Sequence, residues 1–196
     1  MTTVQNVFDY TMSLIDERLE SGLVDPSSTG TFEKNTPYIL TTLQDELIQD
    51  TDYYKTYSIT KAKTENDGGY QEYDMPTDFK TEQQIIEING DYKNATDFRW
   101  EDKTLMIPDS FVGTIKVVYY PIPDPLTAMT DELVLDDITC RTLLVNGLAS
   151  RLLTNENRVL ANYFNDLFTE MKNKPRRKKI APIVDIEDKV DSSLSY

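Results

Sequence analysis

Residues 113–125 read GTIKVVYYPIPDP and mark the point where a β region gives way to helices. The first eight residues are rich in β-branched and aromatic side chains, which strands favour. Three prolines follow within five residues. Because proline lacks a backbone N–H and has a fixed φ angle, neither a sheet ladder nor a helix continues through such a cluster. The stretch therefore predicts the last strand of a β region that ends at these prolines.

Upstream of this strand, short apolar runs alternate with turn signals from about Thr56 onward. The runs cover residues 57–59, 70–73, 85–88, 98–100 and 104–107. Asn89-Gly90 and Glu101-Asp102-Lys103 each stand between two runs, as hairpin turns do. The pattern predicts a small antiparallel β domain over residues 56–125.

Helical spacing precedes the β region. One face of a first helix carries Val4, Val7, Phe8, Ile15 and Leu19. Thr2 and Gln5 have the spacing of a capping box, and residues 25–30, DPSSTG, predict a turn. In the second helix Pro37 suits the first position with Thr36 as its cap, and a longer helix kinked at Pro37 also fits.

Helical spacing returns after the prolines. A third helix has an apolar face made by Ile138, Thr142, Val145, Leu148, Ala149 and Leu152. A fourth follows after Thr154-Asn155, with its face made by Leu160, Tyr163, Phe164, Leu167, Phe168 and Met171. The short break between these two helices predicts an antiparallel pair. Cys140 lies in the third helix, where a thiol is expected to be a small buried hydrophobe.

The predicted fold class is α+β. Residues 1–55 and 126–174 are expected to form a four-helix bundle-like domain. Residues 56–125 form an inserted antiparallel β domain, and residues 175–196 form an extended C-terminal tail. No repeat relates these parts.

Composition excludes several function classes. The 196 residues contain no histidine and one cysteine, which removes histidine-based catalysis, histidine-ligated zinc and an internal disulfide. With 20 basic and 34 acidic residues the net charge is −14, so the general surface repels nucleic-acid phosphates. Neighbouring carboxylates such as Asp131-Glu132 are explained by this composition and indicate no acid/base site. We expect no enzyme activity, no catalytic residue, no metal and no cofactor.

The basic run at residues 172–179, KNKPRRKK, contrasts with the acidic chain around it. Without its six cations the remaining chain has 14 basic and 34 acidic residues, a net of −20. Helix termination explains the first two lysines, but not the four cations after Pro175. Contact with DNA phosphates and docking on an acidic partner both fit, and the apolar residues that follow favour docking. The predicted docking tail comprises Arg176, Arg177, Lys178, Lys179, Ile180, Ile183, Val184 and Ile186.

Aromatic residues are the second group of candidate interaction residues. The chain has 12 tyrosines and one tryptophan. In the β domain Tyr92, Phe98 and Trp100 are candidates for an interface, and exposed aromatics of this kind could also stack on sugars. A carbohydrate-binding module is therefore kept as an alternative from another function class.

Four short stretches give the chain a resemblance to the head–tail connector (adaptor or neck) proteins of tailed bacteriophages, of the type similar to tail tubular protein A. They are TTLQDEL at 41–47, YDMPTDF at 73–79, VVYYP at 117–121 and ANYF at 161–164. None of them is a catalytic signature. Their order and spacing cover most of the chain.

This resemblance implies a structural protein of the virion, made in the host cytoplasm and located in the neck between capsid and tail. It implies a homo-oligomeric ring, usually a dodecamer, that joins the portal protein to tail or neck proteins. Double-stranded DNA passes through such a ring without sequence recognition, and no membrane is involved. In that family the C-terminal segment reaches the portal and the β part faces the tail side. A tail-completion or terminator protein remains the alternative within the structural class.

Overall fold

The computed structural model describes residues 2–18, 26–51, 53–63, 68–90, 98–135 and 138–174. Within these ranges the fold is mixed α+β, with four α-helices and two small antiparallel sheets. The helices are α1 (Val4–Arg18), α2 (Pro26–Leu47), α3 (Ile138–Leu153) and α4 (Arg158–Asn173). The strands are β1 (Lys55–Lys61), β2 (Tyr70–Asp74), β3 (Phe79–Gly90), β4 (Arg99–Glu101), β5 (Thr104–Pro108) and β6 (Gly113–Pro121). The predicted order of two helices, a β region and two helices is confirmed.

Helix α1 begins with a capping box one residue later than predicted. The backbone N–H of Thr3 donates to Oδ1 of Asn6 at 3.0 Å, and the N–H of Asn6 donates to the hydroxyl of Thr3 at 3.3 Å. The Thr2–Gln5 assignment is therefore wrong. Asparagine replaces the usual glutamate as the residue that reaches back to the cap.

Helix α2 is longer than the predicted second helix. It begins at Pro26 and includes Pro37, so the turn predicted for residues 25–30 is wrong over residues 26–30. Proline is well suited to a first helical position, because its missing N–H has no helical partner there. Pro37 lies inside the helix, and the Thr36 hydroxyl donates to the carbonyl of Phe32 at 2.7 Å instead of capping a helix start. The longer helix was the second of the two predictions left open.

Helix α3 is the central helix of the helical part. It contacts α1, α2 and α4. Its side chains are buried on several faces, including Cys140, Leu143, Leu144, Val145, Leu148 and Leu152. Gly147 allows α2 and α4 to pack directly against α3, since an added Cβ would lie 2.7 Å from Cδ2 of Leu43 and 3.1 Å from Cδ2 of Phe168. Each fully buried leucine contributes about 1.5–3 kcal/mol, so this helix organises the helical core.

The β region contains one sheet in the order β1-β6-β3 and another in the order β2-β5-β4 among the described strands. The predicted hairpin at Glu101–Lys103 is confirmed between β4 and β5, with Asp102 in the left-handed region at φ 54°. The hairpin predicted at Asn89-Gly90 is wrong. Strand β3 runs through both residues and pairs with β6, where Asn89 lies opposite Thr114 and Gly90 opposite Gly113.

Two successive tyrosines of β6 connect the β core with the helical core. Tyr119 packs in the β core with Ile59, Phe79, Leu105, Ile107, Phe111, Ile115 and Val117. Tyr120 packs in the helical core with residues of α1, α2 and α3. Because side chains alternate between the two faces of a strand, a single strand enters both cores before it ends at Pro121.

A buried lysine supports the far end of the β region. Lys61 is 1% exposed. Its Nζ lies 3.7 Å from Oδ1 of Asp109 and donates to the Asp109 carbonyl at 3.3 Å. Oδ2 of Asp109 also accepts from the backbone N–H of Gly69 at 3.1 Å. The pair fixes β1 against the turn between β5 and β6, and neutralising either charge would remove an attraction that offsets the burial of the other.

Candidate interaction surfaces

The predicted docking tail lies outside the residues that the structure describes. This covers Arg176, Arg177, Lys178, Lys179, Ile180, Ile183, Val184 and Ile186. Tyr92, one of the three β-domain candidates, lies outside them as well. The tail and Tyr92 therefore remain predictions from the sequence.

Phe98 belongs to the β core. Its side chain is 9% exposed, and its ring meets that of Phe111 edge to face with 5.6 Å between centroids. The ring lies inside the domain because the alternation along the strand that follows directs it there. Phe98 is thus placed away from any surface on which a partner or a sugar could stack.

Trp100 is half-buried and is the more accessible of the two candidates that the structure describes. Its ring stacks on Phe79 with centroids 5.3 Å apart and an interplanar angle of 17°. Its indole N–H donates to the carboxylate of Glu82. Burial raises the pKa of Glu82 above its ordinary 4.5, and the Trp100 hydrogen bond partly opposes this. One face and the polar edge of the indole are therefore already engaged, which leaves little of the ring for a sugar.

Glu46 joins three helices through ion pairs that no sequence pattern indicated. Its Oε2 accepts from Nη2 of Arg151 in α3, and its Oε1 accepts from Nζ of Lys172 in α4, both at 2.7 Å. Burial opposes the charge, but hydrogen bonds and charge from Lys172 and Arg151 outweigh it and hold the pKa of Glu46 below 4.5. The two cations are 105 and 126 residues away along the chain. Only the tertiary fold brings them together.

These ion pairs border a pocket of about 310 Å³ between α3 and α4. Besides Glu46 and its two partners, the pocket is lined by Gly147, Ser150, Asn165, Phe168 and Thr169. Most of these groups are polar, and both cations are committed to the Glu46 carboxylate. The pocket is therefore a polar cleft at the C-terminal half of α4, without a concentrated charge of either sign.

A second cluster lies within the β region, at the end of β6 that leads to the helices. Asp78 accepts from the Tyr119 hydroxyl at 2.9 Å and from Nζ of Lys55 at 2.6 Å. Burial and the bond to Asp78 raise the pKa of Tyr119 to about 12. Lys80 in β3 donates to the Asp45 carbonyl at 2.6 Å and to its carboxylate at 2.7 Å, so β3 is also tied to α2.

A groove of about 630 Å³ runs between α1 and α3. It is lined from α1 by Asn6, Val7 and Tyr10 and from α3 by Arg141, Thr142 and Val145. Tyr10 is 60% exposed at its edge. The mixture of an exposed aromatic ring, amide, hydroxyl and guanidinium is typical of a protein contact surface.

Helix α4 carries two further exposed apolar side chains. Val159 is 80% exposed and Tyr163 is 38% exposed, one helical turn apart. Asp166 and Glu170 continue the same face toward the C-terminal end, because residues at i, i+4, i+7 and i+11 share one side of a helix. We call Val159, Tyr163, Asp166 and Glu170 the α4 stripe.

Among the described residues, no group of three or more histidine, cysteine, aspartate or glutamate side chains could hold a metal ion. No helix in the described part of the chain is both long and apolar enough to cross a bilayer. The sequence matches no known protein-family model and no curated protein.

Proposed function

We propose that this protein is a structural virion protein: a head–tail adaptor ring that joins the portal to the tail and forms part of the DNA conduit. The observation that carries the proposal is the shared strand β6. Its Tyr119 packs in the β core and its Tyr120 in the helical core. The chain thus has two separately packed bodies, a helical one and a β one, joined by one continuous strand. Each body offers its own contact surface, and a connector between two different neighbours requires two such surfaces.

In this proposal the two bodies have different partners. Residues 1–55 and 126–174 form a helical, bundle-like wall, and residues 56–125 face the tail-side proteins. Residues 175–196 reach the portal. The junction supports a fixed relation between the bodies, because Lys80 of β3 binds Asp45 of α2.

Charge supports the conduit. The chain without its basic run carries 14 basic and 34 acidic residues. A wall of this sign repels the phosphates of a passing duplex, so DNA slides without being held. Ring closure uses heterologous contacts between copies. The groove between α1 and α3, with the exposed ring of Tyr10, is the surface that we assign to such a contact.

Electron microscopy of the purified protein, alone and mixed with portal, tests the function. We expect closed rings with a central channel, formed alone or on contact with portal. A chain ending at Lys174 should still fold but should fail to join portal. Monomers under both conditions would contradict the proposal. Rings that bind tail-tube protein and ignore portal would instead identify a tail-completion protein.

A further inference from the structure

The α4 stripe has two chemically distinct halves. Toward the start of the helix, Val159 and Tyr163 expose apolar surface. Toward its end, Asp166 and Glu170 are exposed carboxylates. Asp166 has no ion-pair partner among the described residues. Glu170 already attracts a cation, since Nζ of Lys174 lies 3.0 Å from its Oε1. The stripe therefore suits a ligand that is cationic at one end and apolar at the other.

The chain itself contains a segment of this composition directly after α4. Residues 176–184 read RRKKIAPIV, four cations followed by an apolar stretch. Helix α4 ends at Asn173. A chain that reverses direction after Lys174 would place its cations beside Glu170 and Asp166 first, and its apolar residues beside Tyr163 and Val159 afterwards. In this antiparallel direction the cations of the segment face the carboxylates of the stripe, and its apolar residues face the apolar half. In the parallel direction the cations would face the apolar half instead.

The lengths agree as well. From Glu170 to Val159 the helix rises about 16 Å, at about 1.5 Å per residue. From Arg177 to Ile183 an extended chain covers about 20 Å, at about 3.3 Å per residue. Arg177 beside Glu170 thus leaves Ile183 beside Val159. Pro182 is compatible with an extended segment that lies on a helix, because such a segment has no β-sheet hydrogen bonds to complete.

We propose that the α4 stripe is the docking surface for residues 176–184 of the same chain. The segment lies antiparallel along the solvent side of α4, with its cations on Asp166 and Glu170 and its isoleucines on Val159 and Tyr163. A partner that takes up the segment uncovers the stripe. The inference does not depend on the ring proposal, because it concerns the isolated chain.

Engineered disulfides in the full-length protein test this placement. In a Cys140→Ala background, Val159→Cys combined with Ile183→Cys should form a disulfide within one chain under mild oxidation, seen as a faster-migrating monomer on non-reducing gels, because the proposed register places Ile183 beside Val159. The matched control is Tyr38→Cys combined with Ile183→Cys, because Tyr38 is a 77% exposed tyrosine on a different helix. We expect the test pair to close about fivefold faster than the control.

Charge reversal separates docking from chance collision. Asp166→Lys with Glu170→Lys should slow closure of the test pair to the control rate, and adding Arg176→Glu with Arg177→Glu should restore it. Circular dichroism verifies that the total helix content is unchanged in each variant. Equal rates for test and control pairs would overturn the proposal. Disulfides only between chains, with yields that rise with protein concentration, would also overturn it and assign the surface to a second copy.

Discussion

Glu46 bridges Arg151 and Lys172, with 2.7 Å between its carboxylate oxygens and each cation. The three residues belong to α2, α3 and α4, so one carboxylate holds three helices of the helical part together. All three side chains are about one-third exposed. Solvent therefore weakens the pairs, and their contribution is moderate compared with that of the buried leucines of α3.

Glu46→Gln should lower the free energy of unfolding by about 1 kcal/mol at neutral pH, because the amide keeps one acceptor and loses the charge. Urea denaturation followed by circular dichroism measures the change. Glu170→Gln is the matched control, since the Glu170–Lys174 pair is 65% and 64% exposed and lies within one helix. Its effect should stay within about 0.5 kcal/mol. Equal losses in the two variants would contradict the bridging role.

The contribution of Glu46 should depend on pH. Its pKa in the folded protein is below the ordinary 4.5, so the unfolded chain takes up a proton first as the pH falls. The stability that the carboxylate adds is therefore complete above 4.5 and is lost as the pH falls through the folded-state value. The difference in unfolding free energy between wild type and Glu46→Gln should shrink over that window. A difference that grows on acidification would refute the assignment.

Gly147→Ala should destabilise the helical part by up to about 2 kcal/mol. The helix gains about 1 kcal/mol from the better propensity of alanine, but the new methyl group would lie 2.7 Å from Leu43 and 3.1 Å from Phe168. Overpacking of this kind costs about 1–3 kcal/mol, and Leu43 has no exposed surface into which it can move.

Gly30→Ala is the control for that substitution. A Cβ at Gly30 meets no atom within 4 Å, so the variant should be stabilised by up to about 1 kcal/mol. Thermal unfolding of both variants gives the comparison. A stabilised Gly147→Ala protein would mean that α2, α3 and α4 pack less closely than described here.

The stability that the Tyr119 hydroxyl adds to the folded protein should be lost at alkaline pH. The pKa of its hydroxyl is raised from 10.0 to about 12. The stabilisation is complete below the unfolded-state value of 10.0 and disappears as the pH rises through about 12. Burial also raises the pKa of Tyr73, so phenolate absorbance should show a late-titrating step that Tyr119→Phe makes smaller. The same step must survive in Tyr38→Phe, whose ring is 77% exposed.

Phe98 and Trp100 should respond differently to truncation. Phe98→Ala removes a ring from the β core and should cost about 3–5 kcal/mol. Trp100→Ala should cost less than half as much, because part of the indole is already in water. Denaturation followed by circular dichroism measures both, and the fluorescence of the single tryptophan follows the first. Comparable losses would show that Trp100 is as much a core residue as Phe98.

Periodicity was sufficient to predict the elements, because local spacing of apolar residues governs which face each element buries. Periodicity did not predict where an element begins or ends when the residue at that point, such as proline, is compatible with two structures. Pro26 was compatible with both a turn and a helix start, and packing of the following turns selects the helix. Pro37 was compatible with both a helix start and a kinked interior, and the Thr36 hydroxyl bonding back to Phe32 belongs to the interior.

Strand partners and ion pairs depend on contacts between distant residues, which a single sequence does not encode locally. Asn89-Gly90 has the composition of a hairpin turn, yet β3 extends through it because β6 provides a longer partner. Alternation along β1 places Lys61 on the same inward face as Ile59, but only the fold brings Asp109 to it. The burial of Phe98 could not be predicted locally either, because no neighbouring residue in the sequence distinguishes an aromatic ring at an interface from one in the core.

The peptide bond between Tyr119 and Tyr120 has a mechanical consequence. A force applied to the helical core reaches the sheets through the packed side chain of Tyr120 and the backbone of β6, because the adjoining Tyr119 is packed in the β core. The antiparallel neighbours β1 and β3 distribute that load in shear over many hydrogen bonds at once. We therefore expect the helical core and the β core to move as a stiff unit under tension, and the weakest point under load to lie elsewhere than at this junction.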